Sequence, residues 1–423
     1  MKKAVFLILV VFLSVFALIS NGQSQTKNYY SGDAVSFNGQ VYVGSANTNS
    51  LEVLKLEHGD LKLLAKIKPF NARFNNYGKF YDLKFSVESD KLFVYAISDF
   101  SLYKYQIVGD EVQFLKSNKN TYWEWYTRVD KFGDNLVTIS DKGVKIWNAN
   151  MDVIISYPFT NSETPYNISG NNSRFILNIQ DNKLTVFDAE SRSEAISIPL
   201  NYKTESDIHR AYQDAANNIY AVDDYYMKKF DSQGHLLGSF KHQDYPGYDV
   251  AASGLSDYLY FSNGLGVVKI NKNTMESPAS VLTGDMGGAR GWAMNLKVIN
   301  AAGDKVVVFN NSNILVLDDN LKKLASYEAT EEKEINPLEN LFLSSNHNFG
   351  APTAVITLTG GGYLPKENLN IFFGDTKVTA KADERGRFTQ DLTVPALPAG
   401  KKDIKVDGET SHLTYSLSFQ VNK

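Results

Sequence analysis

Histidine and cysteine are the first candidates for chemistry, and neither forms a recognisable site in this chain. The 423 residues contain six histidines and no cysteine. The histidines form neither an HxH nor an HExxH pattern, which are the spacings that would suggest metal ligands. Without cysteine, thiolate catalysis, cysteine-ligated metals and a lipid anchor through an N-terminal cysteine are excluded. We therefore expect no metal or other cofactor.

Paired carboxylates are the next candidates, at Asp223 with Asp224 and at Asp318 with Asp319. Two carboxylates can hydrolyse a glycosidic bond only if they face one another across the substrate. Adjacent residues of a strand or turn point apart, so the pattern favours solvated turn residues. The glycine clusters lack the strand–loop–helix context of a phosphate-binding loop, and no serine lies in a nucleophile-elbow motif. These observations favour a noncatalytic protein.

Aromatic and basic side chains form the remaining candidate site. They lie in or beside six segments, which are 71–80, 117–125, 160–165, 201–208, 242–247 and 284–295. Flat side chains with polar edges suit sugar rings, peptides or aromatic ligands. The predicted ligand-binding residues are Arg73, Tyr77, Trp123, Trp125, Tyr166, His209, Tyr245, Arg290 and Trp292. The alternative is that these side chains fill a channel or pack loops onto strands. Trp147 lies within a strand pattern and is expected in the core.

A repeat of strand patterns places these segments between structural units. Short apolar strands are centred on residues 42, 93, 137, 176, 220, 260 and 307. A strand-rich repeat of about 40–50 residues is typical of β-propeller blades. A further strand in each repeat ends in several cases at a turn-forming residue, namely Asn148, Asp188, Asp231, Asn271 or Asp318. The sequence therefore predicts an all-β fold with a seven-bladed β-propeller over residues 28–330, whose inter-blade loops surround a channel mouth.

Two stretches carry a resemblance to known propeller families. NIYAVDDYYMKKFDSQGHL, residues 218–236, resembles a blade of the NHL type, and VKIWNAN, residues 144–150, resembles a strand of the Trp-Asp type. The other repeats match these families only in pattern. The resemblance implies an architecture and no particular activity.

The C-terminal part has a different composition. A charged stretch, Glu328–Glu334, is followed by Pro337, and residues 352–422 then alternate polar and apolar residues between glycine and proline breaks. This pattern predicts a linker over 331–350 and an immunoglobulin-like β-sandwich over 351–423. The module resembles the small Ig-like and TIG-like units of prokaryotic surface proteins, which implies a spacer, a packing partner or an adhesive unit. The apolar segment Leu338–Ser344 either adds an edge strand to the repeats or packs beneath them.

The N-terminus has the order of a secretory signal peptide. Lys2 and Lys3 precede an apolar run over residues 4–19, and small polar residues follow. The run is short for a membrane span of about 20 residues, so we expect a cleaved signal peptide over residues 1–24 and a secreted or cell-surface protein. The alternative is an uncleaved segment, which would then be the protein's sole membrane contact.

The charge balance and the missing motifs together define the expected function. The net charge is −4, which argues against nucleic acid as a partner. We expect an exported binding or adhesion protein whose loop-rich propeller face binds an extracellular glycan or protein, with other envelope components as further partners. The alternatives are a structural envelope component and an enzyme on a propeller scaffold, such as a lactonase, a glycan-cleaving enzyme or a quinone-dependent dehydrogenase.

Overall fold

The computed structural model describes most of the chain after residue 28, in segments. They are residues 29, 31–46, 50–68, 70–71, 76–77, 79–98, 101–119, 126–158, 168–170, 174–179, 183–188, 193–199, 210–242, 247–253, 256–263, 265–282, 293–310, 313–328, 338–339, 342–363, 366–383, 386–410 and 414–423. The described residues form strands, turns and connecting segments, and none of them belongs to an apolar helix of the length that a membrane span requires.

Within the described residues, seven consecutive sheets each contain four antiparallel strands in chain order, and the first sheet has a fifth strand from later in the chain. Sheet 1 contains β1 (Ser31–Phe37), β2 (Gln40–Ala46), β3 (Leu51–Glu57) and β4 (Asp60–Lys68). A short ribbon of β5 (Phe70–Asn71) and β6 (Asn76–Tyr77) follows it. Sheet 2 contains β7 (Phe80–Glu88), β8 (Lys91–Ser98), β9 (Ser101–Val108) and β10 (Glu111–Lys119). Sheet 3 contains β11 (Tyr126–Phe132), β12 (Asn135–Ser140), β13 (Gly143–Trp147) and β14 (Val153–Pro158).

The remaining four sheets repeat this arrangement. Sheet 4 contains β15 (Ile168–Gly170), β16 (Arg174–Ile179), β17 (Lys183–Asp188) and β18 (Ser193–Pro199). Sheet 5 contains β19 (Arg210–Gln213), β20 (Ile219–Val222), β21 (Tyr226–Phe230) and β22 (Leu236–Lys241). Sheet 6 contains β23 (Gly247–Ala251), β24 (Tyr258–Asn263), β25 (Gly266–Asn271) and β26 (Ala279–Leu282). Sheet 7 contains β27 (Ala293–Asn300), β28 (Asp304–Asn310), β29 (Ile314–Leu317) and β30 (Lys323–Tyr327).

Apolar side chains between neighbouring sheets form the core. Val43 and Leu54 of sheet 1 share one buried cluster with Val307 and Phe309 of sheet 7, and similar clusters join sheets 2 and 3, sheets 5 and 6, and sheets 6 and 7. Trp147 is 2% exposed, as expected for a core residue. Removing apolar surface from water contributes roughly 25 cal/mol per Å², so these contacts are the main source of stability.

The turn that follows the third strand recurs with the same hydrogen bonds in several sheets. Asn148, Asp231 and Asp318 each accept, through the side chain, the backbone N–H of the residue four positions later. The position three residues after these caps has a positive φ. It is occupied by Met151, Gly234 and Leu321 respectively. The sequence prediction of turns at these residues is therefore confirmed.

A lysine of the preceding sheet binds this turn and joins the two sheets. Lys104 donates to the carbonyl of Ala149 at 2.9 Å, Lys229 to that of Lys272 at 2.8 Å, and Lys269 to that of Asp319 at 2.7 Å. All three acceptors directly follow the capping residue of the turn. This repeated contact satisfies a carbonyl that the turn leaves unpaired.

The first strands of the seven sheets contact one another in a closed order. Each of β1, β7, β11, β15, β19, β23 and β27 contacts the next, and β27 contacts β1. The backbone N–H of Tyr29 donates to Asn310 of sheet 7 at 3.2 Å, while its hydroxyl donates to Glu52 of sheet 1 at 3.2 Å. After sheet 7, β31 (Leu338–Glu339) pairs in parallel with β4 as a fifth strand of sheet 1. Repeated sheets in this order are compatible with a β-propeller.

Two further sheets form the C-terminal part. The first contains β32 (Phe342–Ser345), β34 (Val355–Gly361) and β37 (Phe388–Thr393). The second contains β33 (Phe349–Gly350), β35 (Asn368–Phe373), β36 (Thr376–Lys381), β38 (Gly400–Gly408) and β39 (Thr414–Val421). Buried residues of both sheets, including Leu358 and Phe373, belong to one hydrophobic cluster. The ring of Phe373 meets that of Phe419 edge to face, with centroids 5.5 Å apart.

Candidate functional site

The first strands of the sheets, which we call the inner strands, carry polar side chains at one matching register position. To compare the sheets, we use the strand centres that the sequence gives for the second strands, namely residues 42, 93, 137, 176, 220, 260 and 307. In each sheet, the reference residue lies two positions after this centre. Its partners on the inner strands of six sheets are Asp33, Lys84, Arg128, Arg210, Asp249 and Asn295. In sheet 4 the corresponding position lies outside the described residues. Since matching positions on the strands face the same way, these side chains share one central channel.

β-Bulges set this register. The pairing of the first two strands shifts between Phe80 and Asp82, between Tyr126 and Arg128, between Gly247 and Asp249, and between Ala293 and Asn295. In all four sheets the residue that follows the shift is polar. A bulge redirects the side chains beside it, so the start of the inner strand places a polar group toward the channel instead of toward the core.

A cavity of about 340 Å³ lies at the centre of the inner strands. Its polar lining residues are Asp33, Lys84, Asp130, Arg210, Tyr212, Asp249, Asn295 and Lys297. This volume falls within the range of about 300–1,000 Å³ that is common for small-molecule sites. Three acidic and three basic residues line the cavity, so it has charges of both signs.

The channel carboxylates bind the backbone of the following sheet. Asp33 accepts the N–H of Phe85 at 2.9 Å, Asp82 that of Val129 at 3.0 Å, and Asp249 that of Leu296 at 2.8 Å. The three N–H groups belong to matching positions of β7, β11 and β27. A carboxylate that accepts backbone N–H groups forms a charge-assisted hydrogen bond, so these aspartates hold neighbouring sheets together.

On one side of the cavity, lysines and aspartates form a network. The Nζ atom of Lys84 lies 2.8 Å from Asp130 and 3.6 Å from Asp33, and Lys297 lies 3.7 Å from Asp33. Burial by itself lowers the pKa of Lys84, but the two carboxylates raise it above the usual range. Burial likewise raises the pKa of Asp130, but Lys84 and Lys297 bring it below its usual value. Lys84 and Asp130 are therefore both charged at neutral pH.

The arginine side of the channel is different. The Nε atom of Arg210 lies 3.8 Å from Asp249. Arg128 is partly buried and, among the described residues, has no hydrogen bond or ion pair. Burial, and then the neighbouring charge of Arg210, lower the pKa of Arg128 to about 10. The guanidinium is still charged at neutral pH, and no carboxylate of the described segments contacts it.

Asn295 provides a second unsatisfied group. Its side chain lines the cavity and is 6% exposed, and its Oδ1 atom has no hydrogen-bond partner among the residues that the structure describes. A buried polar atom without a partner is unfavourable by about 1–3 kcal/mol. A ligand that donates a hydrogen bond to Oδ1 would remove this penalty.

The arrangement suits binding better than acid–base chemistry. Asp33 and Asp249 accept backbone N–H groups, and Asp130 contacts Lys84, so each carboxylate that lines the cavity has a partner. Within the described segments, no group of three histidine, aspartate or glutamate side chains is placed to hold a metal ion. Among the described residues, Asn295 in the lining and Arg128 at the matching register position have unused hydrogen-bonding capacity.

The ligand-binding residues predicted from the sequence are not tested by these coordinates. Arg73, Trp123, Trp125, Tyr166, His209, Tyr245, Arg290 and Trp292 lie outside the described residues. For Tyr77 only the backbone is described, in β6, where it pairs with Phe70. The loop face therefore stays a prediction.

Residues at the edges of the candidate segments and in one carboxylate pair have structural roles. Tyr126, at the start of an inner strand, is buried with its ring 6.4 Å from that of Trp147. His242 is buried beside Phe261, and its Nε2 atom lies 3.1 Å from the carbonyl oxygen of Asp223. The expectation of a solvated Asp223 was wrong. This residue caps a turn but is 3% exposed, and it binds Lys228 at 2.6 Å.

The channel residues could have been found from a weak sequence signal. A charged or amide residue occurs 9 to 12 positions before the centre of the second strand in six repeats, from Asp33 before residue 42 to Asn295 before residue 307. The spacing varies because hairpin lengths and bulges differ among the sheets. A search for aromatic residues in the longer loops does not detect it.

Comparisons with known proteins identify the fold and no family. No protein-family model matches the chain, and no curated protein matches it either. Among solved structures, the crystal structure of Raptor from Chaetomium thermophilum matches with a TM-score of 0.54 and 10% sequence identity. The match covers 72% of this chain and 28% of that chain. Raptor contains a WD40 β-propeller.

This likeness concerns the fold alone. At 10% identity it carries no residue of Raptor onto this chain, and this chain spans less than a third of Raptor's length. Altogether 983 solved chains match, and folds that recur so widely serve many functions. The comparison therefore supports a propeller-like, all-β architecture, and the function must be argued from the channel.

Proposed function

We propose that this chain is an exported, noncatalytic binding protein of the cell surface or the extracellular space. A signal peptide over residues 1–24 would precede a seven-bladed β-propeller over 28–330 and an immunoglobulin-like module over 351–423. The propeller would bind an extracellular glycan or protein at the face where its loops surround the central channel. The C-terminal module would act as a spacer or contact other envelope components.

The observation that carries the proposal is the central cavity, with the unsatisfied side chain of Asn295 in its lining and that of Arg128 at the matching register position of another inner strand. Arg128 has a charge without a contacting counter-ion, and Asn295 has an Oδ1 atom without a hydrogen-bond partner, within the described residues. A purely structural channel would have its buried polar groups satisfied internally. Unsatisfied groups in a concave site are instead typical of a place where a polar ligand binds.

The enzyme alternative is supported less well. Asp33, Asp130 and Asp249 do line one cavity, which a hydrolytic enzyme would require. However, each of them is held by a backbone N–H or a lysine, so none is placed as a free general base. A binding function needs no rearrangement of these contacts.

An array of glycans and peptides, probed with the purified chain, tests the proposal. We expect specific binding to a limited set of ligands. Trp123→Ala, Trp125→Ala and Trp292→Ala test whether the loops contribute, and each is expected to weaken binding. Trp147→Phe, a conservative change at a core position, is the matched control and should leave affinity unchanged in the folded fraction. No binding to any ligand would contradict the proposal.

A further inference from the structure

We propose that Arg128 and Arg210 together form a binding site for an oxyanion, either a carboxylate or a phosphate group, in the central channel. The inference deepens the proposed binding function and rests on it. It assigns the charge of the group that the channel accepts, which neither the fold nor the comparisons indicate.

The carboxylates near Arg128 are already occupied by other donors. Asp82 accepts the hydroxyl of Ser31 and the N–H of Val129. Asp249 accepts the N–H of Val250 at 2.9 Å and that of Leu296 at 2.8 Å. The negative charges of both carboxylates act to raise the pKa of Arg128, but neither carboxylate contacts its guanidinium. A partly buried cation without a contacting anion is unfavourable, which a bound oxyanion would correct.

Arg210 is placed to share a ligand with Arg128. It occupies the register position on β19 that Arg128 occupies on β11, and it lines the cavity. The two positive charges repel each other across the channel, and this repulsion contributes to the lowered pKa of Arg128. An anion bound between the two guanidinium groups would attract both of them and offset their mutual repulsion.

The guanidinium group is chemically suited to bind an oxyanion. Its planar arrangement of N–H donors matches the paired oxygens of a carboxylate or phosphate, and such contacts are among the strongest hydrogen bonds in proteins. Lysines would act as point charges, but Lys84 already contacts Asp130 and Asp33 on the other side of the cavity. The arginine side is therefore the place where the channel can accept a negative group.

Titration calorimetry of the full chain at low ionic strength tests the site, with inorganic phosphate and acetate as separate probes. We expect one of them to bind, and the one that binds identifies phosphate or carboxylate as the preferred group. Arg128→Gln and Arg210→Gln should each weaken this binding at least tenfold. Lys142→Gln removes an exposed cation of the same sheet 3 and should leave the affinity unchanged.

Thermal unfolding separates a ligand site from a structural role. If Arg128 binds a ligand and does not support the fold, Arg128→Gln removes a cation that has no contacting anion. The Tm of the ligand-free variant is then equal to that of the parent chain or higher. If Arg128 instead supports the fold, the Tm falls, and the inference is overturned. It is also overturned if neither probe binds, or if Lys142→Gln weakens binding as much as the arginine variants do.

The outcomes also distinguish this inference from the proposed function. If an array ligand binds the parent chain and Arg128→Gln equally, and neither anion binds, the binding function stands and the oxyanion site is wrong. If an anion binds as expected but no array ligand does, the oxyanion site stands and the proposed glycan or protein ligand is wrong.

Discussion

Single residues show that this chain uses charge mainly to join strands. Glu88, near the end of β7, accepts hydrogen bonds from Ser86 at 2.8 Å, Tyr95 at 2.8 Å and Lys104 at 2.9 Å. Burial alone would raise the pKa of Glu88, but these three donors lower it below its usual value. The same Lys104 reaches Ala149 of sheet 3, so a single carboxylate orients a contact between sheets.

Glu88→Gln should therefore make the chain less stable, and by an amount that depends on pH. A carboxyl group whose pKa is lower in the folded state stabilises fully above its unfolded value, near 4.5, and this contribution is lost as the pH falls through the folded value. We expect a loss of about 1 kcal/mol near neutral pH, shrinking toward zero in acid. Thermal unfolding between pH 2 and pH 7 measures it.

Glu111→Gln is the matched control, since Glu111 is exposed at the start of β10. The stability of the Glu111→Gln variant should equal that of the parent chain at every pH. If Glu88→Gln and the parent chain differed by a constant amount across the whole range, the pKa of Glu88 would not be shifted by folding, and the assignment would fail.

At the scale of elements, apolar alternation largely predicted the strand repeat but did not indicate the channel. Apolar alternation located the second and third strands, and turn-forming residues such as Asn148 and Asp318 marked where third strands end. The inner strands contain bulges, for example between Tyr126 and Arg128. A one-residue shift reverses which side chains face inward, so sequence alternation alone could not show that Arg128 faces the channel.

The lysine contacts between sheets also could not be predicted, because they join residues about 45 positions apart through a backbone carbonyl. Lys269, which binds the carbonyl of Asp319 and is 9% exposed, provides a test. Lys269→Met keeps the aliphatic stem but removes the charged donor, which leaves that carbonyl with the more distant hydroxyl of Tyr260, at 3.5 Å. We expect a loss of about 1.5–3 kcal/mol, as for hydrogen bonds to charged groups, measured by urea unfolding.

The exposed Lys241 on β22 gives the comparison for this experiment. Lys241→Met should change stability by less than about 0.5 kcal/mol, as is usual for surface positions. Equal effects of the two substitutions would mean that the contact of Lys269 with the turn does not stabilise the junction between sheets 6 and 7.

At the scale of the whole molecule, noncovalent packing joins the first sheet to the last. Gly32 on β1 lies against the ring of Phe309 on β28, and a Cβ atom at Gly32 would stand 2.1 Å from that ring. The close approach of the two strands therefore requires glycine. No sequence pattern indicates it, because the two residues are separated by nearly the full length of the repeats.

Gly32→Ala should weaken this junction, because overpacking typically destabilises by about 1–3 kcal/mol. Phe309→Leu removes the ring atoms involved, so the double variant should be more stable than the sum of the two single effects predicts. A double-mutant cycle by chemical unfolding measures this coupling. Strict additivity would show that Gly32 and Phe309 do not limit the approach of sheets 1 and 7.

The central claim is that a ligand binds in the channel. A substitution of Asn295 tests this claim most directly. Its Oδ1 atom is buried and has no partner in the described structure, so Asn295→Leu should keep or raise the stability of the free chain. Calorimetry with the best ligand from the array should show at least a tenfold loss of affinity for this variant. Unchanged affinity in a folded Asn295→Leu chain would contradict the account and place the ligand elsewhere.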